Sequence, residues 1–369
     1  MSSIARTPTA AADAAAGAFA GHTLEACTAT LELACLYLGD RLGLYAALEN
    51  RPATATELAG RTGLDIRYVR EWLEQQAAAG VLTCADPGRA PEERTFALPV
   101  GHDEALLDRD SLTAVAGFVR ATIASLSTLP LLLDAFRTGE GVPYAAFGDD
   151  MREGIADGNR PMFSRQLGQE WLPAMPDVHA RLRSLEPARV ADLACGCGWS
   201  SIAIARSYPS ARVDGLDEDA RSIEQARGHA VKAGVADRVR FFRQDAADAG
   251  LAGTYDLVTI FEALHDMSQP VEALASARRL LGPGGCVLVG DERAAERYTA
   301  PAEDPIDRLF YGFSVLHCLP VGRVGQPSAA TGTVMRPHTL RSYAAEAGFG
   351  QVTVLPIEHD FWRFYRLDP

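Results

Sequence analysis

The sequence predicts a doubly wound, Rossmann-like α/β domain over residues 185–369, preceded by a mainly helical, winged-helix-like dimerisation domain. Three observations carry this reading. Short apolar runs at 188–194, 211–216, 238–243, 256–261 and 285–290 alternate with helical stretches, the pattern of a parallel sheet with crossover helices. A glycine turn follows the first run and precedes a helix starting near Trp199. Upstream, Thr54 and Glu57 have capping-box spacing and Asp65 can cap the next helix, which together outline a helix-turn-helix. At 369 residues the chain exceeds ordinary single-domain size, which suits two units.

Residues 1–22 are Ala-rich and lack the compact apolar stretch of a secretory signal, so they read as a flexible N-terminal tail, frayed or weakly helical. Residues 23–104 form the helical domain. Within it Ile66, Val69 and Leu73 follow the i, i+3, i+7 rhythm of a core-facing stripe. A helix-turn-helix usually reads DNA, yet residues 56–76 carry Arg61, Arg67 and Arg70 against Glu57, Asp65, Glu71 and Glu74. With a chain charge of −13, that sign opposes a phosphate backbone, and no nucleic-acid partner is expected. The stripe and the apolar run Leu31 to Leu48 point instead to a homodimer through residues 25–100. Residues 105–184 read as helices joined by Gly and Pro turns, a linker that roofs the active site. Within them Gly139 to Gly148 is too rich in breakers to be helical.

No apolar run reaches the roughly 18 to 20 residues of a spanning helix, because Asp40 and Arg41 interrupt Leu31 to Leu48, so no membrane association is expected. Seven cysteines, an odd number scattered over a long chain, fit small buried hydrophobes in a reducing, cytoplasmic compartment.

In Val190-Ala191-Asp192-Leu193-Ala194-Cys195-Gly196-Cys197-Gly198 two glycines let backbone N–H groups approach a ligand. Asp217, nineteen residues beyond Gly198, ends the second strand, where a carboxylate can accept from both ribose hydroxyls. Asp245 and Ala246 end the third, placed to contact the adenine edge. A dinucleotide fingerprint would want glycine at 201, where Ser201 stands. Cys195 and Cys197 lie within the turn with no second Cys or His cluster nearby, which argues against a metal pair there.

This region resembles the class I S-adenosylmethionine-dependent methyltransferases, whose first motif is hydrophobic-acid-x-G-x-G-x-G, with Ala194 in place of the first glycine. The resemblance implies S-adenosylmethionine as cofactor, held by Asp192, Ala194, Gly196, Gly198, Asp217, Asp245, Ala246 and Phe261. It places the acid matching Asp192 near the methionine amino group and Phe261 beside the cofactor.

The fourth strand runs into Phe261-Glu262-Ala263-Leu264-His265-Asp266-Met267 at the carboxyl edge of the sheet, where such folds keep their ligands. Histidine followed by aspartate here resembles the plant-type and bacterial O-methyltransferases. That resemblance makes His265 a general base toward a hydroxyl, a role its near-neutral pKa allows. A second histidine, His317 in Ser314-Val315-Leu316-His317-Cys318-Leu319-Pro320, lies 52 residues on. The pair, with Gly141-Val142-Pro143-Tyr144 and the aromatic tail from Phe361 to Tyr365, more closely resembles methyltransferases that methylate the β-carbon (C3) of small 2-oxo acids. The resemblance makes His265 and His317 ligands of a divalent or trivalent metal, zinc or iron, and His265, Asp266 and His317 the catalytic set.

A metal suits that reaction. The C3 proton of a 2-oxo acid is too weakly acidic for an unaided side chain, and a Lewis acid on the carboxylate and ketone oxygens stabilises the enolate. Asp266 is then a third ligand, an orienting partner or the base. His317 also fits as a buried histidine facing the roof. Arg152, Arg160, Arg165, Arg323 and Arg336 could anchor the substrate carboxylate, and Tyr144, Phe163 and Trp171 could form apolar walls. The other histidines, His22, His102, His179, His229, His338 and His359, read as surface or packing residues. Two further readings stay open: an O-methyltransferase without metal, and a non-catalytic, cofactor-binding transcriptional regulator.

Overall fold

A computed structural model describes residues 10–248 and 250–369. The chain divides into two compact units, up to Asp108 and from Arg109 to Pro369.

The first unit begins with the helix Ala10–Arg41. Residues 10–22 of the expected flexible tail are therefore helical, because alanine has the highest intrinsic helix propensity. The rest of that expectation lies outside the described residues. The expected caps are present. Thr54 Oγ1 accepts from the N–H of Glu57 at 3.3 Å, and the N–H of Thr54 donates to Glu57 at 2.8 Å. Asp65 accepts from the N–H groups of Arg67 and Tyr68 at the start of Ile66–Ala78. Val69 and Leu73 are buried against Leu44, Leu48, Leu58 and Phe96, whereas Ile66, on the first turn, is 40% exposed. A two-stranded antiparallel wing, β1 (Thr83–Cys84) and β2 (Phe96–Ala97), completes a winged helix-turn-helix.

The second unit is a seven-stranded sheet of β3 (Arg189–Leu193), β4 (Arg212–Asp217), β5 (Val239–Arg243), β6 (Tyr255–Phe261), β7 (Leu281–Glu292), β8 (Gln351–Val354) and β9 (Trp362–Asp368). Its order is β5-β4-β3-β6-β7-β9-β8, parallel except that β9 runs antiparallel to β7 and β8. β7 extends the fifth apolar run in both directions; the other four parallel strands match their runs within a residue or so at each end. One core packs Val190 of β3 and Val213 of β4 with Ile202 of the helix Trp199–Ser207 beside Trp171 and Phe261, and a second holds Ala191, Leu193, Val258 and Ile260 with Leu274 and Leu340. Both faces being covered, the strands read as nearly continuous apolar runs.

The helices expected as a separate roof over 105–184 belong to this same unit beyond Asp108. Ala116–Ser127 packs on Gly148–Met162 so closely that a Cβ on Gly117 would lie 2.3 Å from the backbone nitrogen of Gly158. The breaker-rich stretch forms only the short 3₁₀ turn Tyr144–Phe147. Among the described residues no single helix is long and apolar enough to cross a membrane, though Ala116–Ser127 and Leu129–Thr138, bent by 56°, would pass together by length and composition.

Candidate active site

The strand order reverses between β3 and β6, so the crevice at their carboxyl ends is the topological switch point. A cavity of about 660 Å³ opens there, within the usual size of small-molecule sites. Asp192, Ala194, Gly196, Asp217, Asp245, Ala246 and Phe261 all line it. Gly198 sits one step back and closes the turn at φ 82, where a Cβ would strike the Phe241 ring at 2.5 Å. Ala194 takes φ 54, a left-handed conformation that explains why glycine would be at ease there.

The three carboxylates differ in what they have left to offer. Both oxygens of Asp217 are braced, one by the N–H of Gly196 and one by that of Asp219, each at 2.8 Å. Burial raises its pKa to about 6, against the opposing pull of those N–H groups. Among the described residues the Asp245 side chain accepts from the nearby N–H of Ala247, at 2.8 Å. Asp192 is 1% exposed, and its oxygens accept from Ser200 and Ser201 at 2.6 Å and from Thr259 at 2.7 Å. Ser201, where a dinucleotide site wants glycine, is thus a strut under the turn. Cys195 and Cys197 are buried thiols whose pKa values burial raises.

A second, smaller cavity of about 80 Å³ shares Ile155, Asn159, Glu262 and Asp266 with the first. His265, Glu292, His317 and Cys318 line it together with apolar side chains that include Phe118, Met151, Phe313 and Trp362. The structure therefore brings the two sequence-predicted histidines to one chamber. His317 lies in a π-helical turn, Ser314–Cys318, a distortion frequent at functional sites.

His265 is 2% exposed, and its Nδ1 lies 2.9 Å from Asp291 Oδ1 and 2.9 Å from Glu292 Oε2. One N–H makes one good hydrogen bond, here to Asp291, which leaves Glu292 Oε2 without a donor. Burial alone would lower the His265 pKa; Glu292 and Asp291 outweigh it and hold the ring's pKa well above its ordinary value. Burial raises Glu262 and Asp266 to about 7 and Glu292 further. Burial lowers His317 to about 3, so that ring is neutral, and its Nε2 has no partner.

Ligand atoms of His265, Asp291 and Glu292 lie within 4.8 Å of one another, a set able to hold a metal ion. Asp291 Oδ2, Glu292 Oε2 and His317 Nε2 are buried and unpartnered, and lone pairs left so are costly unless a proton or cation meets them. The residues fit a metal.

Sequence reasoning missed Asp291 and Glu292. Their signal was an acidic pair directly after the fifth apolar run, at the same sheet edge as His265. It also missed Glu262 and Asn159, whose side chains hydrogen bond to each other. Of the proposed walls, Tyr144 and Phe163 line the large cavity, but Trp171 is wholly buried in the core beside Phe364 and Trp362. Of the proposed anchors, Arg152 lines the large cavity, already bonded to Asp219 and Asp149. Arg160 is bound to Asp110 over the Trp199 ring. Arg165 donates to the carbonyl of Asp110, Arg323 to that of Gly139 and Arg336 to Tyr311. Among the described residues no arginine or lysine lines the small cavity.

This fold is that of a class I S-adenosylmethionine-dependent, O-methyltransferase-like protein with an N-terminal winged helix-turn-helix domain. Residues 190–285 match a methyltransferase domain, and residues 29–109 an Rv2258c-like winged HTH domain. The ubiquinone biosynthesis O-methyltransferase of Bordetella avium is 35% identical over 105 residues, 28% of this chain and 43% of that protein. The chain thus spans less than half the length of that curated relative. Two solved structures share the whole architecture at low identity. Human N-acetylserotonin methyltransferase in complex with SAM superposes with a TM-score of 0.68 at 16% identity, covering 100% of this chain and 99% of that one. The mitomycin 7-O-methyltransferase MmcR gives 0.67 at 22%, covering 98% and 99%.

Proposed function

We propose that this chain methylates the C3 carbon of a small 2-oxo acid with metal assistance, taking the methyl group from S-adenosylmethionine. One observation carries the reading: the buried chamber that adjoins the cofactor cavity concentrates Glu262, Asp266, Glu292 and two histidines, backed by Asp291, with no arginine or lysine in its lining. These side chains alone offer an anionic substrate no fixed positive charge beyond the His265 ring, which is set among four buried acidic groups. A metal ion held by His265, Asp291 and Glu292, with His317 lining the same chamber, would supply positive charge and Lewis acidity at the substrate's carboxylate and ketone oxygens.

The protein's own groups then divide the remaining work. Asp266 lines both chambers, and its pKa near 7 lets it take the C3 proton at neutral pH, leaving an electron pair that attacks the methyl group. The carbon–methyl bond forms as the sulfur–methyl bond breaks, and S-adenosylhomocysteine leaves. The aromatic and methionine walls exclude water and accept an apolar substrate side chain. Seven free cysteines suit a cytoplasmic setting for this chemistry.

The test is a panel of 2-oxo acids such as phenylpyruvate and 4-methyl-2-oxopentanoate, assayed with S-adenosylmethionine before and after chelation, with elemental analysis of the protein. Methylation that survives exhaustive chelation in metal-free protein overturns the metal reading. A second reading is favoured by the hydrogen bond from His265 Nδ1 to Asp291. In the neutral ring it fixes the tautomer and leaves Nε2 to deprotonate a hydroxyl, so the chain would act as an O-methyltransferase. Chelator-insensitive methylation of a phenol panel would select it.

A further inference from the structure

We infer that Glu262 is a cofactor-binding residue that receives the α-ammonium group of the methionine half of S-adenosylmethionine. The inference rests on the cofactor reading of the large cavity and is independent of which substrate occupies the small one.

The acid expected at that ammonium, Asp192, already accepts from three hydroxyls and is almost wholly buried. The adjacent strand offers the alternative. β3 and β6 are parallel with Leu193 opposite Ile260, so Glu262, two residues past Ile260, stands level with the glycine turn. Its backbone takes φ 49, and its N–H donates to the carbonyl of Gly290 at 2.8 Å. A left-handed residue between strand and loop turns the chain sharply, and here the Glu262 side chain ends on the wall common to both cavities.

Its partners are few. Among the described residues the side-chain donor to Glu262 is Asn159, from the helix Gly148–Met162. That single amide orients one oxygen and leaves the carboxylate able to accept more. The arginines lining the cofactor cavity are engaged elsewhere, Arg152 with Asp219 and Arg243 with the carbonyl of Glu218. An ammonium ion with three N–H donors matches a carboxylate in this position, where His265 is the cation that acts on Glu262 among the described residues.

The experiment is calorimetric titration of the full chain and of Glu262→Gln with three ligands, without substrate. S-adenosylmethionine carries both sulfonium and ammonium, S-adenosylhomocysteine only the ammonium, and 5′-methylthioadenosine neither. Glu262→Gln is expected to weaken the first two by roughly ten-fold or more and to leave the third unchanged, as loss of a charged acceptor requires. Asn159→Ala, which keeps the carboxylate but frees it, should give the same pattern at smaller size, and it serves where Glu262→Gln does not fold. Loss confined to S-adenosylmethionine would assign Glu262 to the sulfonium and overturn the inference, as would equal loss for all three ligands or for none. A wild-type chain that binds none of the three overturns the cofactor reading itself.

Discussion

Nδ1 of His265, in the loop that follows β6, lies 2.9 Å from Oδ1 of Asp291, one residue short of the end of β7, and both side chains are almost wholly buried. The contact joins the ends of β6 and β7 and directs the ring's other nitrogen elsewhere. Glu292, equally near Nδ1, is left in excess. The pair therefore works as a clamp on the ring in the hydroxyl-methylating reading and as part of a ligand set in the metal reading.

His265→Ala and His317→Ala separate these. In the metal reading each loses bound metal and methyl transfer together, chelation of the wild type reproduces the loss, and added divalent metal restores only the wild type. Metal content by mass spectrometry and product formation are followed in parallel. Should His317→Ala keep both its metal and its activity, that residue is a packing histidine.

Asp217→Ala is expected to weaken S-adenosylmethionine binding by about 1 to 3 kcal/mol, because ribose hydroxyls lose a charged acceptor. An unchanged dissociation constant would place the ribose elsewhere.

The same residue predicts two opposite pH trends. Its folded-state pKa of about 6 lies above the ordinary 3.8, so between these values the native chain binds the proton more tightly than the unfolded chain. Asp217 thus adds stability below its unfolded value and loses that contribution as pH rises through about 6. Ribose hydroxyls, as donors, prefer the carboxylate, so affinity for S-adenosylmethionine should rise with pH over the same window. Calorimetry and thermal melting on wild type and Asp217→Asn check both signs, since the variant should show neither trend.

Ala194→Gly should raise stability by roughly 0.5 to 1 kcal/mol, as relief of a left-handed alanine, about 1 to 2, exceeds the entropy cost of glycine, about 0.4 to 1. Denaturant unfolding measures it, and a loss of stability would mean that the Cβ contributes packing worth more than the strain.

A homodimer through the first unit is expected because Phe19, Leu24, Leu31 and Leu38 remain exposed along Ala10–Arg41. Light scattering gives the mass, and a monomer at all concentrations rejects the assembly.

Much of the architecture was legible in the chain itself. The parallel sheet followed from apolar runs, because strands buried on both faces carry little else. The caps at Thr54 and Asp65 were legible because capping is local, reaching only two or three residues. Asp217 and the glycine turn were readable for a related reason: strand, turn and helix fix their spacing within one unit of structure.

What tertiary structure decided lies where residues distant in sequence converge. Asp291 and Glu292 acquire meaning only when β7 pairs with β6 and brings them to His265, 26 residues away in sequence. His317 reaches that chamber only through folding, and its Nε2 has no partner among the described residues. Asp192, read as a cofactor contact by position, lines the large cavity and also accepts from three hydroxyls, Thr259 of β6 and Ser200 and Ser201 of the helix Trp199–Ser207, a convergence that no local spacing records. Periodicity records which face of an element is buried. It does not record which buried polar groups meet, because that depends on strand order and on the long connections between strands.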